Sequence, residues 1–297
     1  MSLSTTVLTW CGVCNTAWSV FDATRKRLAL ALPIDTVLAL LMGAQGVLFG
    51  AVWLWHNAPL PPALQAYVGP AAVSLLLNWV GNALFLQAVR QAPLSLCIPM
   101  LSLTPALAAL FSQWWFHDSL TRQQWIGIGL VMAGMGWLAF PPQPKNAPSQ
   151  GLAPGVLQGL GLMAICALCW AATPVVDKLA VQAGNSVFHS LVLCVGLWVI
   201  FSLMAWRQQQ HRQPQLLHQI KQQGLWFAAA IVSAAVALYC QLEVTQHMNV
   251  GLFEALKRIM CLVASLALGR WWFNETITLH KLGVVGVLGL GMALVLL

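Results

Sequence analysis

The sequence predicts an all-α integral membrane protein: ten transmembrane helices arranged as two inverted five-helix repeats. Three observations predict it. Charged residues are 7% of the 297 and apolar residues 59%, whereas a water-soluble domain carries about 25% charged residues; such a chain cannot cover a surface that faces water. Apolar runs recur from end to end, each near the roughly 20 residues that a bilayer core demands. The second half also echoes the first. Trp114-Trp115-Phe116-His117-Asp118-Ser119-Leu120-Thr121 returns as Trp271-Trp272-Phe273-Asn274-Glu275-Thr276-Ile277-Thr278, an offset of 157 residues. Gly129, Gly134 and Met135 meet Gly286, Gly291 and Met292 at the same offset, and Arg27-Leu28-Ala29 is answered 151 residues on by Lys178-Leu179-Ala180.

The hydropathy pattern places the spans at 3–21, 34–55, 67–88, 94–115, 122–140, 155–176, 187–206, 223–244, 250–271 and 280–297. Most connections are short. Residues 141–154, rich in Pro and polar groups, fall at the midpoint and read as a linker. The expected organisation is therefore a first five-helix repeat over 1–140, the linker 141–154 and a second repeat over 155–297. Residues 207–223 are rich in Gln and His, with Leu216, Leu217 and Ile220 at helical spacing, as in a solvent loop carrying a short interfacial helix. Five spans per repeat is an odd number, so the second copy enters the membrane upside down relative to the first. Duplicated, inverted halves are a mark of secondary transporters, with the substrate site between the repeats.

Charge sets an orientation. Arg25, Lys26, Arg27, Arg90, Lys145, Arg207, Arg212, Lys221, Arg270 and Lys281 lie in the odd-numbered loops; Arg122 and Lys178 lie on the other side. The positive-inside rule puts the odd loops in the cytoplasm and both termini outside. The net charge of +7 resides at the ends of apolar runs, so no nucleic-acid partner is expected. Cys11 and Cys14 have redox-motif spacing, but inside a span they read as small apolar fillers. No basic stretch precedes the first apolar run, so no cleavable signal is expected. No metal-ligand spacing, phosphate-binding glycine loop or activated nucleophile is present, which argues against an enzyme or an ATP-driven pump. No cofactor is expected.

Ionisable groups at membrane depth are costly and are functional candidates by default. Glu254, Lys257 and Arg258 are the main set. Their spacing lets all three share one helix face. Either the carboxylate merely neutralises Arg258 while Lys257 snorkels to the interface, or a cation faces a cavity and binds an acidic substrate group. The equivalents of Lys257 and Arg258 in the first repeat are Met100 and Leu101, so the repeat unit itself does not require charge there. Glu243 and His247, one turn apart at the end of the eighth span, could relay a proton or form an interfacial pair. Asn78 and Asn82 share a face of the third span and could line a cavity or join helices. Asp22 with Arg25, and Asp177 with Lys178, are placed where the first and sixth spans end; they read as neutralised end charges or as gating pairs. Trp18 and Trp170 occupy near-equivalent places and could stack on a substrate or pack between helices. Pro93, Pro99 and Pro105 in the fourth span and Pro174 in the sixth are expected to interrupt helical hydrogen bonding.

Three stretches resemble the drug/metabolite transporter superfamily, EamA type. They are Ala88-Val89-Arg90 through Pro93-Leu94-Ser95, Pro99 to Ser102 and Thr104-Pro105; Lys257-Arg258 with Trp272-Phe273-Asn274-Glu275 and Gly286; and Asp177-Lys178. Asp118 stands where the family usually has Glu. The resemblance implies inverted five-helix repeats, a central cavity and alternating access for a small metabolite, with both termini in the cytoplasm. The expected function is secondary transport in a bacterial inner membrane; the alternatives are a flippase for a lipid or lipid precursor, or a non-transporting scaffold subunit. The partners expected are a small-molecule substrate and the lipid bilayer, with a second copy of the chain (a homodimer) as a further candidate.

Overall fold

The computed structural model describes residues 5–57, 59–62, 64–91, 101–117, 119–139, 154–209, 216–260 and 279–296. Every regular element among them is helical. Helices α1 (Thr5–Ala31), α2 (Ile34–Trp55) and α3 (Leu64–Gln91) are followed by a 3-10 turn (Leu101–Leu103) and α4 (Thr104–Phe116). Next come α5 (Arg122–Ala139), α6 (Pro154–Ala183), α7 (Ser186–Gln209), the short α8 (Leu216–Gln222) and α9 (Gly224–His247). Residues 250–260 form α10, and α11 (Leu279–Leu296) follows. Among the described residues five helices are long and apolar enough to cross a membrane, within α2, α3, α6, α7 and α9, and Gly283–Val295 is a shorter apolar stretch.

The second helix lies where the hydropathy pattern puts it, but α1 and α6 run well past residues 21 and 176. Asp22 and Asp177 are therefore inside helices, not at their ends. Polar side chains do not stop a helix; the stops are Pro33, which cannot continue one, and the Gly184-Asn185 turn. Pro105 does not interrupt α4 either. It lies in the first turn, where a missing N–H is harmless. Pro174 lies inside α6, which continues through it, so the carbonyl of Trp170 lacks its usual helical donor. Pro93, Pro99, Asp118, residues 141–153, the second Trp-Trp-Phe at 271–273 and Glu275 lie outside the described residues, as does the side chain of Asp22.

The helices group into two compact units, each drawing on both halves of the chain. One contains Ser2–Leu75 and Val176–His247; the other contains Leu76–Val175 and Met248–Leu297. In the first, α1 and α9 run antiparallel. The Trp10 and Tyr239 rings meet edge to face at 6.4 Å, Cys14 Sγ donates to the Ala237 carbonyl at 3.4 Å, and the Arg27 guanidinium lies 4.4 Å from the Trp226 ring. Phe21, Leu28, Leu32, Phe227, Ala230 and Ala234 form the apolar seam, which Ile220 of α8 also touches. In the same unit α2 and α7 run antiparallel: Gly43 faces Trp198, Gly46 faces Val195 and Gly50 faces Leu191. Small residues let membrane helices approach closely, where packing replaces the hydrophobic effect as the driving force.

The second unit repeats the device. A Cβ on Gly127 of α5 would stand 2.8 Å from the Gly291 carbonyl of α11, while Gly134 faces Leu288 and Gly283 faces Trp137. Thr121 and Gln124 form a reciprocal capping box that starts α5. In both units the antiparallel partners, α2 with α7 and α5 with α11, are equivalent helices of the two repeats.

Candidate functional site

The ninth apolar segment opens at Asn249. Its side chain accepts the Gly251 amide at 2.8 Å and donates to Ser112 Oγ at 3.4 Å. This fixes the start of α10 against α4 and sets the face on which Glu254, Lys257 and Arg258 project. Glu254 is 1% exposed. Lys257 Nζ donates to Glu254 Oε1, and Arg258 Nη2 stands 3.7 Å from Glu254 Oε2. The Lys257 ammonium also lies 5.4 Å from the Phe253 ring centre. Arg258 reaches away from its own helix: Nε and Nη2 donate to Thr104 Oγ1 at 3.1 and 2.9 Å. The Thr104 hydroxyl, fully buried, donates in turn to the Leu101 carbonyl at 2.8 Å.

Lys257 folds onto Glu254, and both cations are mostly buried, at 16% and 18% side-chain exposure. The cluster holds two cations and one carboxylate. It lies beside the start of α4, where no side chain caps the helix amides and the helix dipole adds positive potential.

Trp170 and Phe85 belong to the same compact unit as this cluster. They pack with the Leu101–Met163–Cys166 core, and their rings stand 5.3 Å apart. The Trp170 indole also lies directly over Gly81 of α3, where a Cβ would stand 2.8 Å from its Cδ1. Asn82 Nδ2 donates to the Asn78 carbonyl at 2.7 Å within the same helix, and both residues are half-buried. Trp18 belongs to the other unit, where it packs against Phe21 at 5.7 Å beside the α1–α9 seam. Glu243 is half-buried and His247 exposed in the last turns of α9.

Asp177 is in a different setting from the one its sequence position suggested. It is 2% exposed and its Oδ1 accepts from Ser74 Oγ of α3 and lies 3.1 Å from His189 Nε2 of α7. His189 Nδ1 is in turn 3.1 Å from the Tyr67 hydroxyl. Thr104, Ser74, Tyr67 and His189 are the partners that sequence reading missed. His189 alone had a readable signal, as an ionisable residue in an apolar run; the others are ordinary polar positions until their partners arrive. Among the described residues no group of three or more His, Cys, Asp or Glu is placed to hold a metal.

Long apolar helices packed as antiparallel pairs define a multi-pass membrane protein. Residues 6–140 and 157–297 match the family model described as the EamA-like transporter family, and the chain belongs to that family. Among curated relatives it is similar to the probable 4-amino-4-deoxy-L-arabinose-phosphoundecaprenol flippase subunit ArnE of Serratia proteamaculans, 34% identical over 71 residues. That match covers 24% of this chain and 62% of the relative. The subunit of the same description from Yersinia pestis (strain Pestoides F) is 32% identical over 89 residues, 25% of this chain and 78% of the relative. Similarity thus reaches a quarter of this chain and spans less than two thirds of the Serratia relative. A crystal structure of a protein 17% identical superposes with a TM-score of 0.77 over 98% of this chain and 96% of that one, which shows the shared fold.

Proposed function

We propose that the chain is a secondary transporter of an anionic solute, working by alternating access in a bacterial inner membrane. In this reading its ten spans form two inverted repeats, over 1–140 and 155–297. The observation that supports the reading is the burial of two cations, Lys257 and Arg258, beside Glu254 on one face of α10. Cations held in an apolar chain are costly and mark solute sites, and their chemistry matches a substrate phosphate or carboxylate. Arg258, held by Thr104, presents a planar fork suited to an oxyanion; Lys257 can swing from Glu254 onto the substrate. Trp170, Trp18, Asn78 and Asn82 are secondary candidates for substrate contact, and Glu243, His247, Asp22 and Asp177 for gating.

A lipid-linked substrate is the second reading. It is favoured by the printed description of the relatives, whose subunits belong to a flippase for an aminosugar on phosphoundecaprenol. The cationic cluster suits the phosphate of such a molecule as well as that of a soluble one.

Thermal unfolding of the purified protein with phosphate monoesters, carboxylates and undecaprenyl phosphate tests both readings. A bound anion at 100 times its dissociation constant adds about 2.7 kcal/mol of stability. Lys257→Ala is expected to remove that shift and abolish transport while the protein remains folded, because Arg258 still faces the Glu254 carboxylate. An unchanged shift in the variant, or no response to any anion, would sink the assignment. A response to undecaprenyl phosphate alone selects the lipid reading.

A further inference from the structure

The charged residues are unevenly spread. From Lys178 to Leu242 the chain contains no Asp or Glu, yet it carries Arg207, Arg212 and Lys221, and the last turns of α1 hold Arg25, Lys26 and Arg27. The fold brings part of this set together. In the compact unit of Ser2–Leu75 and Val176–His247, the antiparallel α1 and α9 place the last turns of α1 beside the first turn of α9, with α8 just before it. Phe21, Leu28 and Leu32 of α1, Val37 and Leu41 of α2, and Phe227 and Ala230 of α9 make one apolar cluster. Ile220 of α8 and Trp226 of α9 pack against it as partly buried neighbours.

Two cations are left on the surface of this cluster. The exposed Arg27 guanidinium lies 4.4 Å from the ring of the half-buried Trp226. Ile220 seats α8, and Lys221, the next residue, is exposed. Among the described residues neither Arg27 nor Lys221 is in an ion pair. Leu225, immediately before Trp226, is 80% exposed. A guanidinium over an indole is held by the negative face of the ring, and its planar fork of donors stays open to an oxyanion at its edge.

Depth in the bilayer selects the partner. α2 and α9 are long and apolar enough to cross a membrane, and they begin at Ile34 and Gly224. Their first turns meet in the cluster, where Val37 packs with Phe227. The patch therefore lies where hydrocarbon gives way to head groups, the level at which Trp is enriched. A soluble anion has no use for the bare Leu225 side chain. A phospholipid has one, because its glycerol and first acyl carbons lie beside its phosphate.

We propose that Arg27, Lys221, Trp226 and Leu225 form a binding site for one anionic phospholipid of the surrounding bilayer. Arg27 and Lys221 hold the phosphodiester, while Leu225 and the edge of Trp226 contact the glycerol and the first acyl carbons. A zwitterionic lipid brings its own ammonium, which the two cations repel. The site shares no residue with the cationic cluster of α10 and does not depend on the transport reading.

Native mass spectrometry tests it. The purified protein, delipidated in detergent, is given an equal mixture of phosphatidylglycerol and phosphatidylcholine with identical acyl chains. The unmodified protein is expected to retain phosphatidylglycerol in preference by about 25-fold, a factor of about five for each cation near an anionic lipid. Arg27→Gln and Lys221→Gln should each leave a preference of about fivefold, and the double variant none. Both side chains are exposed, so thermal unfolding of the variants should match that of the unmodified protein. Arg122→Gln removes an exposed cation at the start of α5, outside this unit, and should leave the preference unchanged.

Equal retention of the two lipids by the unmodified protein, or a preference that persists in the double variant, overturns the site. An equal loss in Arg122→Gln means that overall charge selects the lipid, and overturns it too. Displacement of bound phosphatidylglycerol by glycerol 3-phosphate makes the occupant a free phosphate and overturns the lipid assignment.

Discussion

Glu254→Ala is expected to cost about 3–5 kcal/mol of stability, the loss seen when one partner of a buried ion pair is removed. The carboxylate is buried beside two cations that are themselves less than a fifth exposed, and no other carboxylate contacts them among the described residues. Denaturant unfolding in micelles measures the effect. The double variant Glu254→Ala with Lys257→Ala should recover part of the loss, because it leaves one cation instead of two, and Arg258 keeps Thr104. Coupling of this kind is typically 0.5–3 kcal/mol. If Glu254→Ala costs under about 1 kcal/mol, the cluster behaves as a solvated surface pair and the functional reading fails with it. Glu254→Gln keeps the shape and removes the one carboxylate described beside the two cations, so it should bind anionic probes more tightly than the unmodified protein.

Gly251→Ala is the second large effect. Gly251 lies in the first turn of α10, and a Cβ there would stand 2.6 Å from Ala109 Cα and 2.8 Å from Ala109 N of α4. Those are backbone atoms, so a rotamer change cannot relieve the contact. Overpacking of this kind costs about 1–3 kcal/mol. Removing the opposing side chain with Ala109→Gly should restore little, since the backbone atoms remain. Gly129→Ala in α5 is the control: nothing lies within 4 Å of its Cβ position, and the change should be neutral or stabilise by about 0.5–1 kcal/mol. Thermal unfolding compares the three. If Gly251→Ala is as well tolerated as Gly129→Ala, then α10 does not approach α4 closely. The displacement should also weaken anion binding, because α10 carries Lys257 and Arg258 while α4 carries Thr104.

The two effects share a cause. In a membrane helix bundle, close backbone contact sets where a polar side chain ends. Gly251 and Asn249 seat α10 on α4, and only in that seating does the Arg258 guanidinium meet Thr104.

What could be read in the sequence was local. The span at 34–55 was fully legible, because a continuous apolar run is bounded by Pro33 and by the turn at His56-Asn57. The shared face of Glu254, Lys257 and Arg258 was legible because three and four residues make one helical turn. The ends of α1 and α6 are not legible in the charge pattern, because hydrogen bonding continues through Asp22 and Asp177 until a true breaker arrives. The short helix before α9 was legible from the spacing of Leu216, Leu217 and Ile220.

The sequence by itself thus determined the class of the protein. Apolar excess forces the chain into lipid, backbone polar groups in lipid must be paired within helices, and the echoed halves mark the repeat. Only the tertiary structure decided which polar groups meet. Thr104 and Arg258 are 154 residues apart, and Ser74 and Asp177 are 103 apart; no periodicity records such pairs. For Thr104 and Arg258 it depends on the close glycine contact of α10 with α4. The fit of one helix against another is a property of two surfaces, and neither segment contains it alone.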